Sequence, residues 1–430
     1  MPNAQPFRAQ LALRILGIVE AATLALAPGG CGGVGVGASA STSHGVGGGG
    51  GAGTGTGTGT GGVQNGAGGS SGVGFDLFDG GKPDGTVGTP VMMKVTQCAH
   101  WSPTMGSCPT DHPTVISLLK DPTCSTGWEP ATVDSGPTTD AMGQCCYVVE
   151  LELCAIAGRP YLVGGCPRQA TPERGASSEG HPGWSEWGDR GPALAGLTAE
   201  DRAALAAAWT SDGLLEHASV ASFARFSLAL LAAGAPAELV ALAHQAALDE
   251  IRHARLCFGL ASAYAGEAVA PGPFPLGGEL GLDADLAALA VSTVREGCVG
   301  ETIAAVLAAE QLARATDPAV REALEQIAAD EARHAELAWR TVAWAVRAGG
   351  GRVRAAVARA LDAALTGGCR APGAATTGSS ATVAHGRLDA VTAARAAASA
   401  LIDIVAPAAR ALLHGAEAIP NEPAGARLYA

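Results

Sequence analysis

From Thr198 onward the chain runs in long apolar, alanine-rich stretches of helix-forming residues, interrupted at few places by polar or breaking residues. The breaks fall at Gly234-Ala235-Pro236, Pro271-Gly272-Pro273, Thr316-Asp317-Pro318 and Gly349-Gly350-Gly351. Proline suits the first turn of a helix, where its missing N–H has no partner to lose. This punctuation predicts four helices, roughly over 212–233, 236–265, 283–315 and 318–348. Two hairpins joined by a longer crossover, 266–282, have the wiring of an antiparallel four-helix bundle. Further alanine-rich helices are expected over 352–366 and 387–413. Ahead of Thr198 the pattern differs. Arg8 and Arg14 precede an apolar stretch, Ile15 to Ala27, and Cys146 to Leu151 reads as a short strand among turn residues.

Composition sharpens this. Aromatic residues make up only 4% of the 430, and much of the 47% hydrophobic content is alanine. Alanine buries little area per residue, which favours close helix–helix packing over a β-sandwich or barrel. Basic residues number 27 against 40 acidic, a net charge of −13, so nucleic acid is not an expected partner. No uninterrupted apolar run reaches the roughly 18–20 residues of a membrane span. Of the 61 glycines, 27 fall between Gly29 and Gly88, and a tract of this kind cannot bury apolar surface.

The N-terminus has the order of a secretory signal: basic start, apolar middle, small residues, then Cys31. Small residues before a cysteine resemble the bacterial lipobox, in which Cys31 would be lipidated; the alternative is an unstructured N-terminus with a chance cysteine. Seven of eleven cysteines lie at 98, 108, 124, 145, 146, 154 and 166, with no C-x-x-C pair. Such density in a loop-rich unit predicts a disulfide framework and an oxidising compartment. The segments expected are therefore a signal or lipobox-like stretch (1–31), a disordered Gly/Thr-rich linker (32–90), a cysteine-rich module with irregular and β structure (91–170), a second linker (171–194), the helical bundle (195–349) and a helical extension (350–430). Localisation follows as exported, either lipid-anchored in the cell envelope or periplasmic. The only membrane contact expected is the lipid at Cys31.

One pattern occurs twice. Asp249-Glu250-Ile251-Arg252-His253-Ala254-Arg255-Leu256 recurs as Asp330-Glu331-Ala332-Arg333-His334-Ala335-Glu336-Leu337. Residues three apart share a helix face, so each Glu-x-x-His can grip one metal ion. Two divalent ions carry four positive charges and call for two more carboxylates, one from each remaining helix. Glu216 is the only acid between Asp212 and the end of the first helix. On the third helix Glu301 lies 14 residues before Ala315, close to Glu331 at 13 after Pro318, whereas Glu296 lies 19 before. Equal heights above the turn favour Glu301 and leave Glu296 open. The alternative is ordinary solvated glutamates paired with Arg252, Arg255, Arg333 and Arg340. Against it stand the apolar neighbours on each face, Ala246 and Cys257 on one, Ile327 and Ala338 on the other. Asp249 and Asp330 are candidates to accept a hydrogen bond from a ligand histidine, or else surface aspartates. Arg252 and Arg333 read as surface cations, His217 as pointing away from Glu216, and Cys257 and Cys298 as small core residues.

One Glu on each of two helices, with Glu-x-x-His on each of two others, resembles the di-iron carboxylate proteins of the ferritin-like superfamily, such as rubrerythrins and di-iron hydroxylases. The likeness covers 195–349. It implies a ferritin-like bundle holding two iron ions, with manganese as an alternative. It also implies Glu250 and Glu331 as bridging ligands, Glu216 and Glu301 as outer carboxylates, and His253 and His334 capping one ion each. The activity implied is oxidation driven by O2 or peroxide, with an unidentified electron donor. Rubredoxin-type cysteines are missing, and the cysteine module and leash set the chain apart from a storage cage. The competing expectation is a non-catalytic envelope lipoprotein with a structural or relic metal site, acting through its cysteine module.

Overall fold

A computed structural model describes residues 4–24, 91–99, 101, 106–119, 132–139, 143–153, 158–163, 166–175, 183–185, 191–276, 285–366 and 379–414. Cys31, the glycine-rich linker of 32–90, Cys124, Cys154 and Cys369 lie outside the described residues. The described chain is mainly helical with a small strand module. In order it forms α1 (Gln5–Leu24), β1 (Val91–Ala99), α2 (His112–Leu119), β2 (Thr132–Thr139), β3 (Cys145–Leu153), β4 (Leu162–Val163), β5 (Cys166–Pro167) and β6 (Pro172–Arg174). Then follow α3 (Ala199–Ala232), α4 (Ala237–Ala265), β7 (Val269–Pro271), α5 (Leu286–Thr293), a π-helical segment (Val294–Glu301), α6 (Thr302–Arg314) and α7 (Pro318–Thr366). The chain closes with α8 (Ser380–Ala384), α9 (Ala390–Ala400), a π-helical turn (Leu401–Val405) and α10 (Ala406–His414).

The strand predicted at Cys146–Leu151 is the centre of an antiparallel sheet in the order β1-β3-β2. A disulfide joins Cys108 to Cys145 at the start of β3, 37 residues apart. The linker expected over 171–194 is in part ordered. There β6 pairs antiparallel with β7, Glu173 opposite Ala270, and the Ala193 N–H donates to Asp317 at 2.8 Å.

Two helix boundaries are instructive, one displaced from expectation and one where it was expected. First, α3 begins at Ala199 rather than near 212. Thr198 caps it, its hydroxyl accepting from the Asp201 N–H while the Asp201 carboxylate accepts from the Thr198 N–H. The helix runs on through Gly213, which lets the Phe258 ring of α4 approach; a Cβ there would lie 3.2 Å from it. Second, glycines 349–351 break the helical run as expected, so that α7 is two helices meeting at a sharp kink. Gly350 takes φ 59° and ψ −146°, which a residue with a side chain would adopt only under strain.

The hairpin α3–α4 turns at Gly234, with φ 68°. The hairpin α6–α7 turns at Asp317, whose carboxylate accepts from the Val320 N–H at 3.0 Å. The α4 and α7 helices pack against each other. Alanine and small aliphatic side chains fill the interior, with Trp209, Phe223, Phe258 and Trp339 as its bulkiest fully buried hydrocarbon. By length and composition α3 and the 390–414 helical run could cross a membrane, but both bury about half of their apolar window within the fold, 44% and 56%. The N-terminal apolar stretch is helix α1. Its Leu11, Ile15 and Val19 are buried against α7 and α10, each contributing about 1.5–3 kcal/mol of apolar burial. Arg14 pairs with Glu336, and Arg8 donates to Ser399 at 2.7 Å.

Candidate metal centre

The repeat places its chemistry on facing helices. On α4, Glu250 and His253 share one face one turn apart; on α7, Glu331 and His334 do the same. Glu216 enters from α3, and Glu301 from the end of the π-helical segment. His253 Nδ1 lies 3.3 Å from Glu331, 3.6 Å from Glu250 and 3.7 Å from Glu216. His334 Nδ1 lies 3.1 Å from Glu250 and 3.8 Å from Glu331. Ligand atoms within 4.8 Å of one another form two groups, one of Glu216, Glu250, His253 and Glu331, the other of Glu250, Glu301 and His334. Either could hold a metal ion, and Glu250 belongs to both. All six candidate residues thus meet in one place.

The donor set fits metal ions on a second count. His253 Nδ1, His334 Nδ1 and one oxygen each of Glu250, Glu301 and Glu331 are buried without a hydrogen-bond partner. A buried polar atom left unpaired costs about 1–3 kcal/mol, and five converging on one centre make an expensive arrangement without a cation. Glu216 keeps the most access of the six, 19% of its side chain.

Burial and mutual repulsion push the Glu216 carboxyl well above the usual carboxylate range, the charge of Glu250 adding to desolvation. Glu301 is raised for the same reason, with Glu331 as its repelling neighbour. Glu250 goes the other way: burial opposes its charge, but the imidazoles of His253 and His334 outweigh it. Burial also disfavours the histidine cations. The carboxylates of Asp330 and of the surrounding glutamates nonetheless raise His253 well above its ordinary value, and Asp249 and Glu250 push His334 up to about 10.

Both aspartates of the repeat act on the opposite motif. His253 Nε2 is 3.1 Å from Asp330, and His334 Nε2 is 3.4 Å from Asp249. An Nε2–H donating to aspartate leaves the Nδ1 lone pair facing the centre, which is the tautomer a ligand needs. Each aspartate is held by a glutamine four residues earlier, Gln245 to Asp249 at 2.9 Å and Gln326 to Asp330 at 2.8 Å. The repeat is therefore longer than its eight-residue core, Gln-x-x-x-Asp-Glu-x-Arg-His, and extending the alignment upstream would have found these residues. Arg252 and Arg333, about half exposed, pair with Asp249 and Asp330 respectively, and each also reaches across to the other aspartate.

Spacing alone gave no sign of Arg159. It comes from 158–163, and its side chain is 1% exposed. Its Nε donates to Glu301 at 3.2 Å, an amino group lies 3.6 Å from Glu296, and the guanidinium stacks on Phe223 and Phe226. The strap is fastened to the helices by its backbone: Ser219 donates to the Arg159 carbonyl at 3.0 Å, and the Gly158 N–H donates to the Gly300 carbonyl at 2.9 Å. The π-helical segment explains why Glu296 and Glu301 both meet Arg159. In an i→i+5 pattern residues five apart stack on one face, whereas in an α-helix they diverge. Of the two alternatives on this helix, Glu301 joins Glu250 and His334, and Glu296 stays with Arg159 and Arg225.

His217 packs edge-on to Trp184 and Phe274, away from the cluster. Cys257 and Cys298 are buried thiols. Comparison with protein-family models, with curated proteins and with solved structures finds no match for this chain.

Proposed function

We propose that the chain is a di-iron oxidoreductase whose α3, α4, α5–α6 and α7 helices form a ferritin-like antiparallel four-helix bundle. The observation that carries this reading is the convergence of two imidazole nitrogens and three carboxylate oxygens, all buried and unpartnered, at one point between these helices. Glu216, Glu250, His253, Glu301, Glu331 and His334 would hold the two ions, Glu250 standing between them. A bound iron pair supplies electrons to O2 or peroxide. The protein's part is to hold that pair in fixed geometry. Asp249 and Asp330 keep the imidazoles in the coordinating tautomer, and Arg159 offsets the negative charge of Glu301 and Glu296. The disulfide at Cys108–Cys145 supports an oxidising compartment, in line with export.

The full chain would be loaded anaerobically with ferrous iron, desalted, assayed for metal and then exposed to air. The reading expects about two irons per chain, a new near-ultraviolet charge-transfer band after air, and loss of both in His253→Ala and His334→Ala. A folded, helical protein that retains neither iron nor manganese would overturn it. Metals that stay bound but do not respond to O2 or peroxide would point to the structural site of a non-catalytic envelope protein.

A further inference from the structure

A cavity of about 240 Å³ opens beside the centre. At its inner end lie the carboxylates of Glu216, Glu250 and Glu331. Its walls include hydrocarbon from Leu215, Ala304, Leu307, Leu324 and Ile327, with the Cys257 thiol and the Arg159 guanidinium also in the lining. Ser211, Asp212, Gln311 and Arg387 are the part-exposed polar residues of the lining and form its mouth. Glu216, the ligand candidate with the most access, lines this cavity. We propose that the cavity binds a small, uncharged, mainly apolar organic molecule and that this molecule, rather than iron, is the substrate of the centre. The inference rests on the di-iron reading and names its substrate class.

Three observations set that class. Volume comes first: an apolar cavity of about 150 Å³ takes up benzene, so 240 Å³ accommodates roughly ten non-hydrogen atoms, a substituted single ring or a short branched chain. Second is the mouth. Its one acid, Asp212, is held by Arg387 through two hydrogen bonds of 2.7 and 2.8 Å. The Arg387 guanidinium also stacks 4.7 Å from the Trp209 ring. A route for ferrous iron as cargo needs oxygen ligands along its length, and here a fixed cation stands at the entrance ahead of an apolar wall. Third, Trp209 lines the cavity and its buried indole N–H has no acceptor. The Arg159 amino group in the same lining is likewise buried and unpartnered, but its guanidinium is already held by Glu301 and Glu296. A neutral molecule with one oxygen suits these donors beside a hydrocarbon wall. An anion would face Glu216, Glu250 and Glu331 across a poorly solvated space.

The test uses the full chain, with metal content measured on every sample and fluorine NMR as the binding readout. The probes are fluorobenzyl alcohol and the equally sized but charged fluorobenzoate. The expected result is saturable binding of about one alcohol per chain, with the benzoate at least about tenfold weaker. In manganese-loaded protein the bound alcohol resonance should broaden strongly, because the cavity ends at the ligands. Ala304→Phe, and separately Leu307→Trp as a second way of filling the space, should abolish alcohol binding while metal content stays unchanged. A protein that holds its metals but binds no alcohol, or binds it equally well in both filled variants, overturns the cavity proposal and leaves the di-iron reading standing. Saturable, variant-sensitive binding in a protein that takes up no metal supports the cavity and overturns the di-iron reading instead.

Discussion

Loading the centre with metal should release protons, and the number follows from the burial of its ligands. Without metal, four of the candidate ligands are shifted toward their protonated forms: Glu216 and Glu301 by desolvation and neighbouring carboxylates, His253 and His334 by the acids around them. Glu250 is already ionised. A protonated group must lose its proton to coordinate, so two divalent ions should displace protons at neutral pH, up to about four. With His334 at about 10, removing its proton at pH 7 costs about 4 kcal/mol, three pH units at about 1.4 kcal/mol each. Displacing about two protons per ion makes apparent affinity rise up to about a hundredfold per pH unit below these values. Titration calorimetry in two buffers of different ionisation enthalpy counts the protons, and chelator competition at pH 6, 7 and 8 gives the slope. The same shifts fix the sign for stability. A raised carboxyl and a raised imidazole both mean that the folded state binds more protons than the unfolded chain. For the histidines the stabilisation is complete below the unfolded value and is lost as pH rises, through about 10 for His334. The buried carboxyls begin to destabilise as pH rises past their unfolded value. The metal-free protein should therefore melt at a lower temperature at pH 9 than at pH 6, and loading should flatten the difference. Release of less than about one proton per ion, with affinity flat across this range, would refute the reasoning.

Three further outcomes are expected. Asp330→Asn and Asp249→Asn each leave a ligand histidine without its carboxylate partner and should weaken metal affinity about 10–100-fold by chelator competition; unchanged affinity would mean the cross-helix pairs do not orient the imidazoles. Arg159→Met removes the donor to the buried Glu301 carboxyl and should cost about 1–3 kcal/mol in denaturant unfolding of the metal-free protein, against under about 1 kcal/mol if the strap is decorative. Gly297→Ala places a Cβ against Ala338 Cβ and 2.6 Å from an Arg159 amino group, which should cost about 1–3 kcal/mol by overpacking and lower the melting temperature.

What the sequence determined by itself was local and periodic. The duplicated Asp-Glu-x-Arg-His names Glu250, His253, Glu331 and His334 because a one-turn spacing sets two side chains on one face whatever surrounds the helix. Glu216 was legible as the lone acid of its stretch, and Glu301 by counting to equal heights above the turn. Tertiary structure decided the rest. The choice between Glu301 and Glu296 depends on a π-helical segment that no propensity announces, since it exists to fit Arg159 and Gly297 against α7. Asp249 meets His334 and Asp330 meets His253 only because α4 and α7 face each other, a relation between residues more than 75 apart in sequence. The burial of Leu11, Ile15 and Val19 of α1 depends on the hydrocarbon that α7 and α10 bring to them. The cavity beside the Glu/His cluster is shaped by side chains from several helices and the Arg387 segment, brought together from distant parts of the sequence. Spacing along one helix is a property of the chain, whereas enclosed space and buried charge belong only to its packing.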